Sequence, residues 1–537
     1  IKSKYEGILL FLQTKSVHFS DIILKNVKNI QVLYKHNENS FIITGHTNDD
    51  TKYETSKQIT LNVDRNTFIP KVLNKITSNQ PHNNLHPKKI VLDFSSPNIA
   101  KPFHFGHLRS TIIGNYIANI NQHFNNKVTR LNYLGDWGTQ FGLLQYGLTA
   151  QNINVNKLKD NPLKTLYNAY VYAHKLAKTD ETVQQEARKH FSQIETGQAD
   201  LENWKQIRET TVNELENVYR RLGIEFDEYH WESEYNGGAI RDLMLNLETK
   251  GIISKDIEGK KVTKVNDRIV TILKSDNSTL YLSRDIAALL DRYKKFEFDK
   301  MLYIVDKAQT DHFSTLFEVV KQIDTKCADG CEHIKFGRIK GMSTRTGNVV
   351  FLNDILDEAK QKMHEKQSQS KNTRTTAMNE ETCDILGTTA VIINDLKQKR
   401  LRDYTFDWDR ALQSEGDSGI KLQYLHCRLW SLEQNCGVQL PNDCDPSYLS
   451  DEIIGETIAE LSKFEHVLKK SLEEYEACIL VGYLFRLAKL VNRMFKELNV
   501  KNVDSKLGQQ RLLVFHSARL VVKSGLEILG VRPLYEM

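Results

Sequence analysis

The chain has 537 residues and a mass of 62.0 kDa, too long for one ordinary core, so two to four domains are expected. Hydrophobic residues make up 40% and charged residues 26%, a globular composition that excludes disordered and fibrous classes. The net charge of +5 hides a contrast. Residues 1–90 hold 13 Lys/Arg against 7 Asp/Glu and residues 481–537 hold 10 against 4, whereas residues 91–480 hold 50 against 57. Basic ends around an acidic middle suit a grip on a polyanion at two places, or else two solvated basic faces.

Taken in chain order, Ser40–Thr44 and Gln58–Val63 alternate as strands, and 71–78 reads as the end of a helix. The polar, turn-rich stretch 78–84 reads as a linker. An apolar strand follows at 89–94, stopped by Ser95-Ser96-Pro97-Asn98, with a helix opening near His107. A second apolar strand, 128–134, ends in Gly135-Asp136-Trp137-Gly138. Strand, turn, helix, strand is the grammar of a parallel sheet. Residues from about 155 to 250 have helical spacing and read as an insertion. Strand signals return at 262–273 and 300–305, and helical period dominates after about 375. The expected class is multidomain α/β: a small N-terminal α+β domain (1–84), a parallel-sheet domain with helical insertions (85–370) and an all-α C-terminal bundle (371–537).

Seven cysteines at irregular spacing argue against a secreted disulfide framework. Cys327, Cys331 and His333 lack a nearby fourth ligand and read as a loop with reduced thiols rather than a zinc site. No apolar run reaches the length of a membrane span, so no membrane partner is expected. The sequence opens on Ile1 rather than Met, so any natural leader is expected ahead of it.

The chemistry concentrates in 95–110. The stretch follows a buried strand and opens a helix, whose N-terminus aims free N–H groups and a positive dipole end at a ligand such as phosphate. His104 and His107 are three apart and share a face if the turn is helical. Each can donate to phosphate oxygens as charge builds at phosphorus. Gly106 lets a flat base lie against the backbone, and Lys101 adds a cation. The bland reading is a polar loop with two satisfied surface histidines. The position in the first βαβ unit favours a nucleotide site. A second segment, 341–350, is a Gly-bracketed loop with hydroxyl residues and Arg345, suited to closing over a triphosphate.

These segments make the sequence resemble the class I aminoacyl-tRNA synthetases, and among them the arginyl-tRNA synthetases. The HIGH-type signature reads His104-Phe105-Gly106-His107, and the KMSKS-type loop reads Met342-Ser343-Thr344-Arg345-Thr346. The arginyl resemblance extends over 94–101, 108–115, 132–142, 281–285, 416–419, 422–424 and the C-terminus 530–537. It covers nearly all of 88–537. The first 80 residues match only in position and size.

The resemblance implies a Rossmann-like catalytic domain, an N-terminal added domain at the tRNA elbow and an anticodon-binding bundle. It implies ATP and Mg2+, L-arginine and tRNA-Arg as partners, a monomer, and arginine activation that needs bound tRNA. Ser96, Asn98 and Gln309 would hold the α-amino and carboxylate end of arginine, and Tyr281 and Asp285 its guanidinium. A planar cationic fork wants a carboxylate. Asp93 stands where family members commonly carry Glu and is assigned to the arginine site. His104, Gly106, His107, Met342, Ser343 and Arg345 would bind ATP. Lys101, His104, His107 and Arg345 would carry catalysis, with Lys101 taking the role of the replaced loop lysine. Gln423, Tyr424, Arg428 and Met537 would meet tRNA. The resemblance leans to the mitochondrial type, hence the mitochondrial matrix, with the cytoplasm as the alternative.

Two other functions compete. One is a different HxGH nucleotidyltransferase acting on a small acid, although such enzymes lack a large helical C-terminal domain. The other is a non-catalytic RNA-binding protein built on a retired synthetase, against which stand the intact Lys101, His104, His107 and Asp285.

Overall fold

A computed structural model describes residues 27–47, 57–78, 86–99, 105–155, 158, 161–195, 202–275, 279–340, 352–369, 379–413 and 416–537. The first unit is an antiparallel meander of β1 (Val27–Lys35), β2 (Ser40–Thr47) and β3 (Lys57–Asp64), covered by α1 (Arg65–Thr77). Asp64 caps α1 by accepting from Thr67 N. Phe41 and Phe68 stack with centroids 4.2 Å apart in its core.

The second unit is built on five parallel strands in the order β11-β10-β4-β5-β6. In chain order it runs β4 (Lys89–Asp93), α2 (Phe105–His123), β5 (Lys127–Leu134), α3 (Thr139–Ala150), α4 (Pro162–Leu176), α5 (Glu181–Glu195), α6 (Glu202–Arg221), β6 (Glu228–Trp231) and α7 (Gly237–Thr249). It continues with β7 (Ser254–Lys255), β8 (Lys261–Val265), β9 (Arg268–Leu273), α8 (Tyr281–Phe296), β10 (Lys300–Asp306), α9 (Thr310–Ile323), β11 (Cys331–Phe336) and β12 (Ile339–Lys340). Alternate residues of β4 feed different cores. Ile90 and Leu92 join the core that runs through α2 into the C-terminal helices, and Val91 joins the core under α8 and α9. Helix α2 lies close on the sheet because Gly114 has no side chain; a Cβ there would come within 2.3 Å of the Phe94 ring.

The sheet corrects three expectations. The insertion is helical only through Arg221, because β6 then joins the main sheet. The strand signals at 262–273 belong to a separate antiparallel sheet with β7. Cys331 and His333 lie in β11 rather than a loop, and all seven cysteines are free thiols.

The third unit comprises α10 (Leu352–Gln369), α11 (Glu380–Leu396), β13 (Tyr404–Thr405), α12 (Gly419–Asn435), α13 (Glu452–Leu461), α14 (Phe464–Glu474), α15 (Ala477–Glu497) and α16 (Ser505–Ile528). It holds the first unit directly. The Tyr34 ring fills the space a Cβ on Gly455 would need, Arg65 donates to Pro446 O at 3.4 Å, and Lys75 pairs with Glu465. Burial favours the neutral form of Glu465, but Lys469 and Lys75 outweigh it and hold the carboxyl at about 2. Helix α1 also packs on α16, so the described part of the basic N-terminal segment adjoins the basic C-terminal one.

Candidate active site

In an open parallel sheet, ligands bind beyond the carboxyl ends of the strands, where strand order reverses. Here the reversal falls between β4 and β10. Asp93 pairs in register with Tyr303 across it. Ser96 and Asn98 follow β4 on one side, and Gln309 follows β10 on the other, exposed at the end of the turn Lys307–Gln309. Helix α2 opens over the same edge with Gly106 and His107 in its first turn, both partly exposed.

The turn after β4 is pinned rather than loose. Ser95 and Ser96 both have positive φ, 69° and 42°, a conformation that needs outside support. Ser95 N donates to Ser110 Oγ at 2.9 Å, and Ser96 N donates to Asn132 Oδ1 at 3.1 Å. Asn98 and Gly135 form an isolated parallel bridge, and Asn98 Nδ2 donates to Gln140 Oε1 at 3.2 Å. The Gly135–Gly138 stretch is thus a second wall of the same crevice. Its Asp136 is buried and accepts from Ser233 N and Oγ at 2.9 and 2.7 Å. Burial raises its carboxyl to about 6.

Asp93 is engaged on both oxygens. Ser96 Oγ donates to its Oδ1 at 2.6 Å and Arg292 lies 2.8 Å from its Oδ2. With 3% of its surface exposed, it neutralises buried Arg292 and fixes the Ser96 hydroxyl.

Tyr281 and Asp285 lie four residues apart on the first turns of α8, on one face. Arg284, next to Asp285 in the chain, turns to Glu232, with Nε and Nη2 at 2.8 and 2.7 Å from Oε1. Asp285 Oδ2 meets His312 Nε2 at 2.7 Å. Glu232 and His312 were not singled out in the sequence. Glu232 follows the four-residue strand β6, which is hidden behind the helical insertion. His312 stands three residues after Gln309, one helical turn on. Burial, with Asp285 and Asp136 adding to it against the pull of Arg284, raises the Glu232 carboxyl to about 7. Burial raises the pKa of the Tyr281 hydroxyl, both carboxylates lie near enough to raise it further, and the Arg284 guanidinium lies 5.0 Å from its ring centroid.

Lys101, His104, Met342, Ser343 and Arg345 lie outside the described residues. The strand leading to 341–350 is described: β12 pairs in parallel with β13 of the helical unit.

In the helical unit, Tyr424 is 52% exposed and Arg428 lies 3.9 Å from the Phe495 ring centroid. Met537 packs partly buried against a core that includes Cys427 and Leu534. Gln423 is a correction. It is fully buried, donates to Thr389 Oγ1 and Arg532 O at 3.0 and 2.8 Å, and accepts from Leu534 N at 2.9 Å. It clamps the C-terminal tail and has no surface for RNA. The tail it holds presents Tyr535, 41% exposed and edge-on to Trp430, which sequence reading had passed over.

Residues 69–408 match the family described as tRNA synthetases class I (R), catalytic domain, and residues 422–537 match the DALR anticodon binding domain. The chain belongs to the arginyl-tRNA synthetases. A Homo sapiens relative, "Probable arginine--tRNA ligase, mitochondrial", is 40% identical over 459 residues, covering 84% of this chain and 79% of its own. "Arginine--tRNA ligase, cytoplasmic" of Saccharomyces cerevisiae is 37% identical, covering 84% and 77%. The fold of the Thermus thermophilus arginyl-tRNA synthetase superposes with a TM-score of 0.75 at 19% identity, covering 89% and 87% of the two chains. As an arginyl-tRNA synthetase, this chain is a class I ligase that joins arginine to tRNA-Arg, with ATP as co-substrate. No helix among the described residues is long and apolar enough to cross a membrane.

Proposed function

We propose that the crevice between β4 and β10 holds arginine with its reacting carboxylate toward the α2 N-terminus and its guanidinium toward Asp285. The observation that carries this is the carboxylate pair Asp285 and Glu232 beside Tyr281, at the far end of a crevice whose near end is a helix N-terminus. Ser96, Asn98 and Gln309 hold the α-amino and carboxylate end. The guanidinium fork is shared between Asp285 and Glu232 under the Tyr281 ring.

In the first step the arginine carboxylate attacks the α-phosphorus of ATP, an O–P bond forms, and the bond to pyrophosphate breaks. The carboxylate is already a nucleophile, so no protein base is required. His104, His107, Lys101 and Arg345 stabilise charge at phosphorus and on the leaving pyrophosphate, and Gly106, Met342 and Ser343 seat the nucleotide. The donors described at this end, the α2 N-terminus and His107, suit phosphate oxygens rather than a divalent cation. Magnesium would come on the triphosphate with phosphate and water ligands and neutralise charge there. In the second step the 2′-OH of the terminal tRNA adenosine attacks the adenylate carbonyl and AMP leaves.

The helical unit reads the anticodon through Tyr424, Arg428 and the tail around Met537, and bound tRNA is required for activation. One chain carries both site and reader, which supports a monomer. The mitochondrial relatives support work in the mitochondrial matrix. ATP–pyrophosphate exchange with single amino acids, with and without tRNA, tests the reading. Exchange with arginine alone among amino acids, and only with tRNA, supports it. Exchange with another acid favours a different nucleotidyltransferase. No exchange with tight RNA binding favours a retired synthetase.

A further inference from the structure

A carboxylate on an exposed helix turn rotates freely about its last torsion, which is broad and two-fold. The Asp285 side chain is 25% exposed, and one polar contact holds its carboxylate. Its Oδ2 lies 2.7 Å from Nε2 of His312, which stands on the first turn of α9. No described residue bonds its Oδ1. Glu232 repeats the pattern from the other side: Arg284 takes Oε1, and no described residue bonds Oε2. Each carboxylate is held by one oxygen and offers the other.

We propose that His312 is a positioning residue that locks the rotamer of Asp285 and so sets how this carboxylate meets the guanidinium of arginine. The inference rests on the assignment of Asp285 made above. With Oδ2 bonded to His312, Asp285 cannot turn freely to meet the fork. It presents one oxygen in a fixed direction, and the second N–H of the fork is left for Glu232. A planar fork can satisfy two acceptors at fixed positions, whereas the compact ammonium of lysine cannot span them. His312 thus turns a general anion site into one that demands planarity.

The test is steady-state charging by the full chain with H312A, H312Q, D285N and the double variant H312A/D285N. For H312A, KM for arginine rises about tenfold, while kcat and KM for ATP stay within about threefold. H312Q keeps an amide N–H within reach of Oδ2 and recovers most of the loss. In the D285N background, H312A adds less than about twofold, because the two side chains act as one unit. If H312A does not fold, H312N serves as the loss variant, since its shorter amide stops short of Oδ2. An unchanged KM for arginine, an H312Q as impaired as the loss variant, or losses that multiply in the double variant would each overturn the proposal. A wild-type chain charged with an amino acid other than arginine would strike at the site assignment itself rather than at His312.

Discussion

Arg109 places its Nε 3.1 Å from Asp395 Oδ1, with both side chains buried to within 2%. Arg109 follows His107 by two residues on α2, and Asp395 lies on α11 of the helical unit. The same guanidinium donates from Nη1 to Gly337 O and Arg402 O at 2.6 and 2.9 Å and lies over the Tyr404 ring. One side chain therefore joins the nucleotide helix, the strand leading toward 341 and the C-terminal helices.

Removing one partner of such a pair strands a buried charge. D395L is expected to lose about 3–5 kcal/mol of stability in a denaturant series. A loss below about 1 kcal/mol would show that the backbone carbonyls alone satisfy Arg109.

With Glu232 facing the guanidinium as proposed, arginine binding depends on pH. Its carboxyl is raised to about 7, so it takes up a proton as pH falls through that value and loses the charge that faces the guanidinium. KM for arginine should rise from pH 8 to pH 6. In E232Q the KM at pH 8 is already high and that segment of the profile is flatter. A wild-type slope retained in E232Q would place the titration elsewhere.

Gln423 and Tyr424 are adjacent but opposite in role. Q423A leaves Leu534 N without its buried acceptor and should cost about 1–3 kcal/mol of stability. Y424A should leave the melting temperature unchanged and weaken tRNA binding by about 1–3 kcal/mol, the worth of one stacked base. Melting curves and a tRNA binding titration on both variants separate the two.

Lys101 is assigned the cationic role that the 342–346 loop has partly lost. K101A should therefore cut pyrophosphate exchange far more than T346A. Equal, small losses in both would remove that assignment.

Much of this was legible in the residues. The strand at 89–94 and the polar stop after it could be read locally, and the carboxyl end of such a strand is where open parallel sheets bind ligands when strand order reverses there. Tyr281 and Asp285 fall on one face by spacing alone. What stayed hidden depended on long-range pairing. Glu232 needs β6 to reach the main sheet across a long helical insertion, and nothing local in Glu228–Trp231 says which sheet it joins. The partner of Asp93 was missed, and Gln423 misplaced, for the same reason. Their partners, Arg292 and the tail at 532–534, are about 200 and 110 residues away, and only the fold brings them in.

The central claim is that Asp285 and Glu232 read the guanidinium of arginine. Charging kinetics of D285N test it most directly, with arginine varied and then ATP varied. The account predicts a loss of about 10- to 100-fold in kcat/KM for arginine, the worth of a hydrogen bond to a charged group, with KM for ATP unchanged. Unaltered kcat/KM for arginine, or an equal rise in KM for ATP, would contradict it.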